Sequence, residues 1–334
     1  MRAKLLLAML NRNWTLYPLS TYKGLKKKIK GQLLVKITFT QKLHSTFLLV
    51  SDRIISMKIN ELSNSGLGIE ITEIDLKKPL NEKNINMIRD LWLNYSVAVF
   101  PNQRLNHFEF ESFSLNFGVY GDDPYLIPTD KSHPHIMEIR REAKETTALF
   151  GGTWHSDWSF QKNPPSATLL HSKIIPPIGG DTLFCNNIQS FSDLPIKFKK
   201  RVSNLSAFHS AKEIYGNDGF YANENKNEGR SIKIKTSKEA NKRNSHPIVL
   251  KHSETGKKAL FVNPIYSVGV DKLSEKESNQ ILKELYDHTF QEKYIYRHKW
   301  AENMLVMWDN RSVMHKVEGG FDGYQRLMHR ITIR

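Results

Sequence analysis

From Met57 onward, apolar positions recur with periods of two and of three to four residues, the pattern of a mixed α/β chain. Leu67-Gly68-Ile69-Glu70-Ile71 alternates as a strand does, and Ile85, Ile88, Leu91/Trp92 and Tyr95 then recur at helical spacing. Val97–Phe100 is a short apolar strand stopped by Pro101. Asn106 with Glu109 three residues on predicts a capping box, opening a helix with Phe110, Phe113 and Phe117 on one face and Gly118 as its C-cap. Ala167–Leu170 and Asp181–Phe184 read as strands, interrupted by Pro176-Pro177 and Gly179-Gly180. A helix is predicted over Leu194–Leu205, with Pro195 tolerated in its first turn.

Gly216–Ser245 is polar, with little apolar periodicity, and reads as a mobile lid or a surface insertion. Ala259–Asn263 returns to strand character. Ser274-x-x-Glu277 caps a helix whose Ile281, Leu282 and Leu285 face inward, and Met304–Trp308 and Arg326–Arg334 are again strand-like. No internal repeat is visible. Short strands around scattered helices predict an α+β fold, a double-stranded β-helix (jelly-roll) core with flanking helices.

Composition narrows the class. The 334 residues, 39% apolar and 10% aromatic, can bury a sizeable core. The single cysteine, Cys185, rules out an internal disulfide framework and a thiolate cluster. No apolar run reaches the length of a membrane span. The net charge of +15 suggests nucleic acid until it is located. Residues 1–56 hold eleven Lys/Arg against Asp52 alone, 11 − 1 = +10, leaving 38 − 33 = +5 for the remainder. A basic tail with little aromatic interleaving is a solvated segment rather than a nucleic-acid surface.

The tail has three readings: a short secretory signal lacking a convincing cleavage site, an organelle transit peptide, or sequence upstream of a true start at Met57. The third is preferred. The expected organisation is therefore a basic extension over 1–56 and a catalytic domain over 57–334, with a cytoplasmic location, or a mitochondrial one if the tail is a transit peptide.

Candidate chemistry centres on Trp154-His155-Ser156-Asp157 and the distant His315. In an extended segment His155 and Asp157 project to one side. Two imidazoles and one carboxylate form the facial ligand set of non-haem Fe(II) oxygenases, which leaves the opposite coordination positions open. For the bare His-x-Asp pair the plain alternative is a hydrogen-bonded histidine beside a surface aspartate. In the last strand Arg326, Met328, Arg330 and Thr332 share one face, and Leu327, His329, Ile331 and Ile333 the other. Two guanidiniums on a face fit for a barrel interior call for anions to meet them.

Several ordered motifs then coincide: Trp154-His155-Ser156-Asp157, Pro164-Pro165, Gly179-Gly180-Asp181-Thr182-Leu183-Phe184, Ala259-Leu260-Phe261-Val262-Asn263, Trp308-Asp309-Asn310-Arg311 and Arg326-Leu327-Met328-His329-Arg330. Through them, over roughly Leu62 to Ile333, the chain resembles the taurine dioxygenase/2,4-dichlorophenoxyacetate dioxygenase family of Fe(II)- and 2-oxoglutarate-dependent oxygenases. The resemblance implies a clavaminate synthase-like jelly roll in which His155, Asp157 and His315 are the catalytic iron ligands. It implies that Thr182 and Arg326 hold the distal carboxylate of 2-oxoglutarate, and that Arg330 meets an acidic substrate group or supports the oxoglutarate end. Trp158, Phe261, Asn263 and Arg330 are the candidates for substrate contact, with core packing the alternative for the aromatics. Asn310 and Arg311 are expected to brace the loop that presents His315. His209, His246 and His329 are expected to be structural, and Arg140-Arg141 a solvated pair.

The expected reaction uses Fe(II), 2-oxoglutarate and O₂ to hydroxylate a small, anionic organic substrate, releasing succinate and CO₂, with or without later C–S or C–O cleavage. Val119–Leu126 lacks the histidine that taurine-cleaving relatives carry there, and Gly151 stands where they have asparagine, so taurine is not expected. Asp122 or Asp123 could instead face a cationic group. The alternatives are a hydroxylase of a trimethylammonium compound or amino acid derivative, a non-catalytic metal-binding barrel, and a basic nucleic-acid binder. The leading reading implies no nucleic-acid or membrane partner and is compatible with a homo-oligomer.

Overall fold

The computed structural model describes residues 57–224 and 229–334, and the backbone of two short strands, Lys26–Ile29 and Gln32–Val35, which pair antiparallel. The transit-peptide and alternative-start readings of the tail lie outside the described residues. Ile54–Arg334 forms one compact unit. Its backbone is a seven-stranded sheet in the order β1 (Lys58–Glu61), β2 (Ile69–Thr72), β3 (Val97–Phe100), β8 (Leu305–Asp309), β5 (Ala167–Ile174), β10 (Arg326–Ile333) and β4 (Met137–Arg141). All of its neighbours are antiparallel except β2 and β3. A smaller sheet of β7 (Ile295–His298), β6 (Thr182–Asn186) and β9 (Val313–Val317) is also antiparallel.

Period-two alternation sorts each strand's side chains between two cores. Ala98, Phe100, Leu305, Met307, Ile331 and Ile333 pack outward under two helices, α1 (Glu82–Tyr95) and α2 (His107–Ser114). Val97, Val99, Val306, Trp308 and Met328 face the other way, onto Phe184, Tyr296 and Val313 of the smaller sheet.

Helix α1 starts where the Asn81 side chain accepts the Asn84 N–H and ends at Ser96, which takes a left-handed φ of 59° and turns the chain straight into β3. Its Ile88 and Trp92 are fully buried, and each such side chain contributes roughly 1.5–3 kcal/mol. The capping boxes at Asn106/Glu109 and Ser274/Glu277 are both formed.

Gly118 is not the C-cap of α2. The helix ends at Ser114 with Leu115 as cap, and Phe117 joins the same core from beyond the helix end. Gly118 serves a different purpose: a Cβ there would lie 2.7 Å from the Arg334 carbonyl oxygen, and one at Gly121 would lie 2.8 Å from Thr332 Oγ1. The two glycines let residues 118–121 pair with the end of β10, where Gly121 N–H donates to Thr332 O at 2.8 Å. That pairing delivers Asp122 and Asp123 to the rim of the inner face. The predicted helix near Pro195 spans Ile196–Val202 with Pro195 as its cap. The described residues of Gly216–Ser245 hold more regular structure than their polarity suggested. They include a short helix, Phe220–Glu224, and Tyr221, Ile232 and Ile234 are buried in one cluster with Trp158. Among the described residues no helix is long and apolar enough to cross a membrane.

Candidate active site

The turn carrying His155 lies against β9. His155 N–H donates to His315 O at 3.0 Å, and His315 N–H returns the bond to His155 O at 2.8 Å. A directly paired antiparallel couple presents both side chains on one face. The two imidazoles, 160 positions apart in the chain, therefore meet with ring centroids 4.2 Å apart. Asp157, two residues on, shares that face. One ligand atom from each of His155, Asp157 and His315 lies within 4.8 Å of the others, and all three residues are buried.

Protonation suits a cation. His155 Nδ1 lies 2.7 Å from the Thr153 carbonyl, which can only accept, so the Nδ1–H donates there and Nε2 is the nitrogen turned to Asp157 Oδ1, 3.6 Å away. Burial, with the charges of His155 and Arg330, pushes His315 down to about 3 against the pull of Asp157, so the ring is neutral. Its Nδ1 is buried without a hydrogen-bond partner; packing against Trp308 and Phe184 holds the ring. Burial opposes ionisation of Asp157, but Arg330 and the two histidines outweigh it and hold the carboxyl well below the usual range.

A chain of hydrogen bonds fixes that carboxylate. Thr168 Oγ1 donates to Asp157 Oδ2 at 2.6 Å, and Asn310 Nδ2 donates to Thr168 Oγ1 at 2.9 Å. Asn310 Oδ1 in turn accepts the Asp157 N–H at 3.3 Å and the Trp308 indole N–H at 3.1 Å. Asn310 thus supports Asp157 rather than His315. Arg311 instead ion-pairs with the buried Asp309, which also meets His252 at 2.8 Å.

On one side of the triad a cavity leads to Thr182 and Arg326. Arg326 is buried, and among the described residues its Nε has no partner and its one hydrogen bond is a long 3.4 Å contact from Nη2 to Gly180 O. Among the described residues no carboxylate pairs with it, and burial lowers it to about 10. Thr182 Oγ1 accepts the Trp300 indole N–H at 3.0 Å, which leaves its own O–H free to donate. A buried, unpaired guanidinium beside a spare hydroxyl donor is built to receive an anion.

On the other side lies a cavity of about 330 Å³, lined largely by apolar and aromatic residues including Phe150, Trp158, Tyr215, Tyr221 and Tyr266, with Arg330 in its wall. Trp158 takes a left-handed φ of 47°, the kind of strain that clusters at functional sites. Its indole N–H donates to Asp123 Oδ1 at 2.7 Å. Asp123 is the residue whose role composition and spacing did not reveal. It accepts from Arg330 Nη2 at 2.9 Å and from Thr332 Oγ1 at 3.0 Å, so the cation it faces belongs to the protein itself. Burial raises its carboxyl, with Arg330 pulling the other way. Arg330 also stacks over Trp158, 4.7 Å from the ring centroid, and reaches Asp157 at 3.5 Å.

The structure brings His155, Asp157, His315, Thr182, Arg326, Arg330 and Trp158 together. Phe261 and Asn263 do not line either cavity. Phe261 stacks on His209, and Asn263 donates to Ser159 Oγ at 2.9 Å while its Oδ1 accepts the Tyr266 N–H. They brace the segment that carries Tyr266. His209 is fully buried against Ser159, and Arg140 and Arg141 are tied to Glu142 and Glu145 rather than free in solvent.

The profile of the family described as Taurine catabolism dioxygenase TauD, TfdA family matches residues 58–332. The α-ketoglutarate-dependent 2,4-dichlorophenoxyacetate dioxygenase of Cupriavidus pinatubonensis is 29% identical over 265 residues, covering 75% of this chain and 87% of that relative. The alkylsulfatase of Acinetobacter baylyi is 30% identical over 269 residues, covering 80% of this chain and 82% of its own length. Among solved structures, AAD-2 in complex with Mn(II) and N-oxalylglycine superimposes with a TM-score of 0.67 at 25% identity, covering 83% of this chain and 97% of that one.

Proposed function

The chain belongs to the taurine catabolism dioxygenase TauD, TfdA family and is an α-ketoglutarate-dependent dioxygenase using Fe(II), 2-oxoglutarate and O₂, and from that premise we propose how its residues divide the work. His155, Asp157 and His315 hold the metal. Thr182 and Arg326 hold the distal carboxylate of 2-oxoglutarate, and the cavity by Trp158 and Arg330 takes the substrate. The two facing sheets form a jelly roll around this centre, and residues 57–334 are the catalytic domain. The single observation that carries the assignment is the unpaired, buried Arg326 opening onto the same space as three converging ligand atoms.

The metal and its co-substrates supply the oxidant: one oxygen atom of O₂ goes to the substrate carbon and the other to succinate, with CO₂ released. The chain supplies placement. The Thr153 carbonyl fixes which nitrogen of His155 coordinates, and Asn310 and Thr168 fix the Asp157 carboxylate. Gly151, with a φ of 74°, borders both cavities and keeps side-chain bulk away from their junction.

The substrate is a small organic molecule with an apolar or aromatic body and one anionic group directed at Arg330. Phe150, Tyr215, Tyr221 and Tyr266 supply the apolar contact. The dichlorophenoxyacetate- and alkyl-sulfate-acting relatives support this class, and hydroxylation next to an ether or sulfate oxygen would be followed by C–O cleavage. A second reading rests on Asp123. It already neutralises Arg330, and Tyr215, Tyr221, Tyr266 and Trp158 offer π-faces of the kind that bind a trimethylammonium group.

A panel of aryloxyacetates, alkyl sulfates, sulfonates and trimethylammonium compounds, scored by substrate-stimulated succinate formation, decides between them. Stimulation by the anions supports the first reading, and stimulation by the quaternary amines alone replaces it with the second.

A further inference from the structure

A second set of metal-ligating side chains lies on the far side of the seven-stranded sheet, by α2. His107 and Glu111 stand one helical turn apart on α2, and Asp130 and His133 close a tight turn in which His133 N–H donates to Asp130 O at 3.2 Å. One donor atom from each of His107, Asp130 and His133 lies within 4.8 Å of the others, and all three are half-buried. Asp130 Oδ2 is 3.4 Å from His107 Nδ1. That is long for a hydrogen bond, yet it matches the edge of about 3.3 Å between two tetrahedral ligands of a Zn²⁺ with bonds near 2.05 Å.

His133 is oriented as a ligand would be. Its Nδ1 sits 2.6 Å from Glu111 Oε2, so the Nδ1–H donates to the carboxylate and Nε2 is the ring nitrogen left outside that bond. This is the carboxylate–histidine pairing that supports metal-bound imidazoles. The cluster borders an open hollow whose lining includes His107, His133 and Lys173. The Lys173 ammonium and the positive end of α2 oppose a cation there. Lys173 donates to Leu105 O at 2.8 Å and is offset by the Glu109 carboxylate, while Asp130 and Glu111 bring two carboxylates to the histidines.

We propose that His107, Asp130 and His133, with Glu111 behind His133, form a second divalent-cation site of the zinc class, separate from the catalytic triad. Nitrogen and oxygen donors without thiolate suit Zn²⁺ bound by three protein ligands with water in the fourth position. Asp130 and His133 belong to the stretch between α2 and β4 that also carries Asp123, so a bound cation staples that stretch to α2 and stiffens the partner of Arg330.

Equilibrium titration of the full chain with Zn²⁺ against a chromophoric chelator tests this, with circular dichroism to verify folding. Wild type should bind two equivalents. A His155→Ala/His315→Ala variant should keep one, and a His107→Ala/His133→Ala variant should also bind one. Glu111→Gln should weaken the non-catalytic equivalent roughly 10- to 100-fold. Two equivalents remaining in His107→Ala/His133→Ala, or none in the triad variant, overturns the proposal. A wild-type measurement stands beside these should a variant not fold. Zn²⁺ should slow diethylpyrocarbonate modification of His107 and His133 several-fold, read peptide by peptide, and an unchanged rate at both overturns the site.

Discussion

Replacing Arg326 with methionine should have two opposite effects, one on the free protein and one on the liganded protein. Burial lowers the guanidinium from its usual value to about 10, which corresponds to roughly 3 kcal/mol against the charged form. Both values lie above neutral pH, so the unfolded chain holds the proton more tightly and the penalty is present in full at pH 7. It would be relieved only as pH rose through about 10. Arg326→Met removes that buried, unpaired charge while keeping much of the side chain's bulk. The free protein should gain up to roughly 3 kcal/mol, raising its melting temperature by a few degrees for a chain of this size.

The liganded protein should respond in the other direction. Saturating 2-oxoglutarate at about 100 times its dissociation constant stabilises wild type by roughly 2.7 kcal/mol. Loss of a desolvated Arg–carboxylate pair costs about 2–5 kcal/mol of binding, a weakening of ~30-fold to several thousand-fold. Anaerobic thermal denaturation with Fe(II), with and without 2-oxoglutarate, reads both effects. The expected result is a variant that melts no lower than wild type when free and gains nothing from 2-oxoglutarate. A variant that is destabilised when free yet keeps the full 2-oxoglutarate shift would refute the reasoning, because Arg326 would then be a structural cation.

Asn310→Ala should leave the fold intact and weaken Fe(II) binding about 10- to 100-fold, because Thr168 and Asp157 lose their anchor; anaerobic metal titration measures it. Asp123→Asn removes the charge facing Arg330, which for a buried pair costs about 3–5 kcal/mol, and frees the guanidinium for ligands. Urea midpoints should fall while KM for anionic substrates falls relative to neutral analogues, and an unchanged KM ratio would count against Arg330 as the substrate cation. His209, His298 and His315 are each lowered by burial to about 3. Their unfolded forms take up protons first, so the stability they contribute is complete above about pH 6.5 and is lost as pH falls toward 3. Between pH 6 and pH 5 these three groups alone should cost the metal-free protein roughly 3 kcal/mol, with His329 and His171 acting in the same direction, and urea denaturation at those two values checks it.

The shared face of His155 and Asp157 and that of the two arginines were legible because their signals are local. His155 and Asp157 are two residues apart in an extended turn, and period-two alternation along β10 places Arg326 and Arg330 on one face whatever the rest of the chain does. The capping boxes were legible for the same reason. What escaped depends on contacts between distant segments. Asp123 sits in a turn-like run, and only the pairing of residues 118–121 with β10 reveals that it meets Arg330. The stretch Gly216–Ser245 looked featureless because its few apolar residues, Tyr221, Ile232 and Ile234, have no periodicity and find their partners in a cluster with Tyr125, Trp158 and Tyr215. Phe261 and Asn263 lie in a motif shared with the family, yet Asn263 acts on Tyr266 from behind and Phe261 packs on His209. Gly118 followed a helix pattern that in fact stops three residues earlier, its lack of a Cβ being needed for the backbone of Arg334.

The central claim is that His155, Asp157 and His315 hold the working iron. Its most direct test is succinate formation from 2-oxoglutarate by wild type, Asp157→Ala and His315→Ala, assayed anaerobically and in air with and without added Fe(II). Wild type should form succinate only when Fe(II) and O₂ are both present, and each variant should lose at least about 100-fold of that rate. Succinate formed at the wild-type rate by either folded variant would contradict the account.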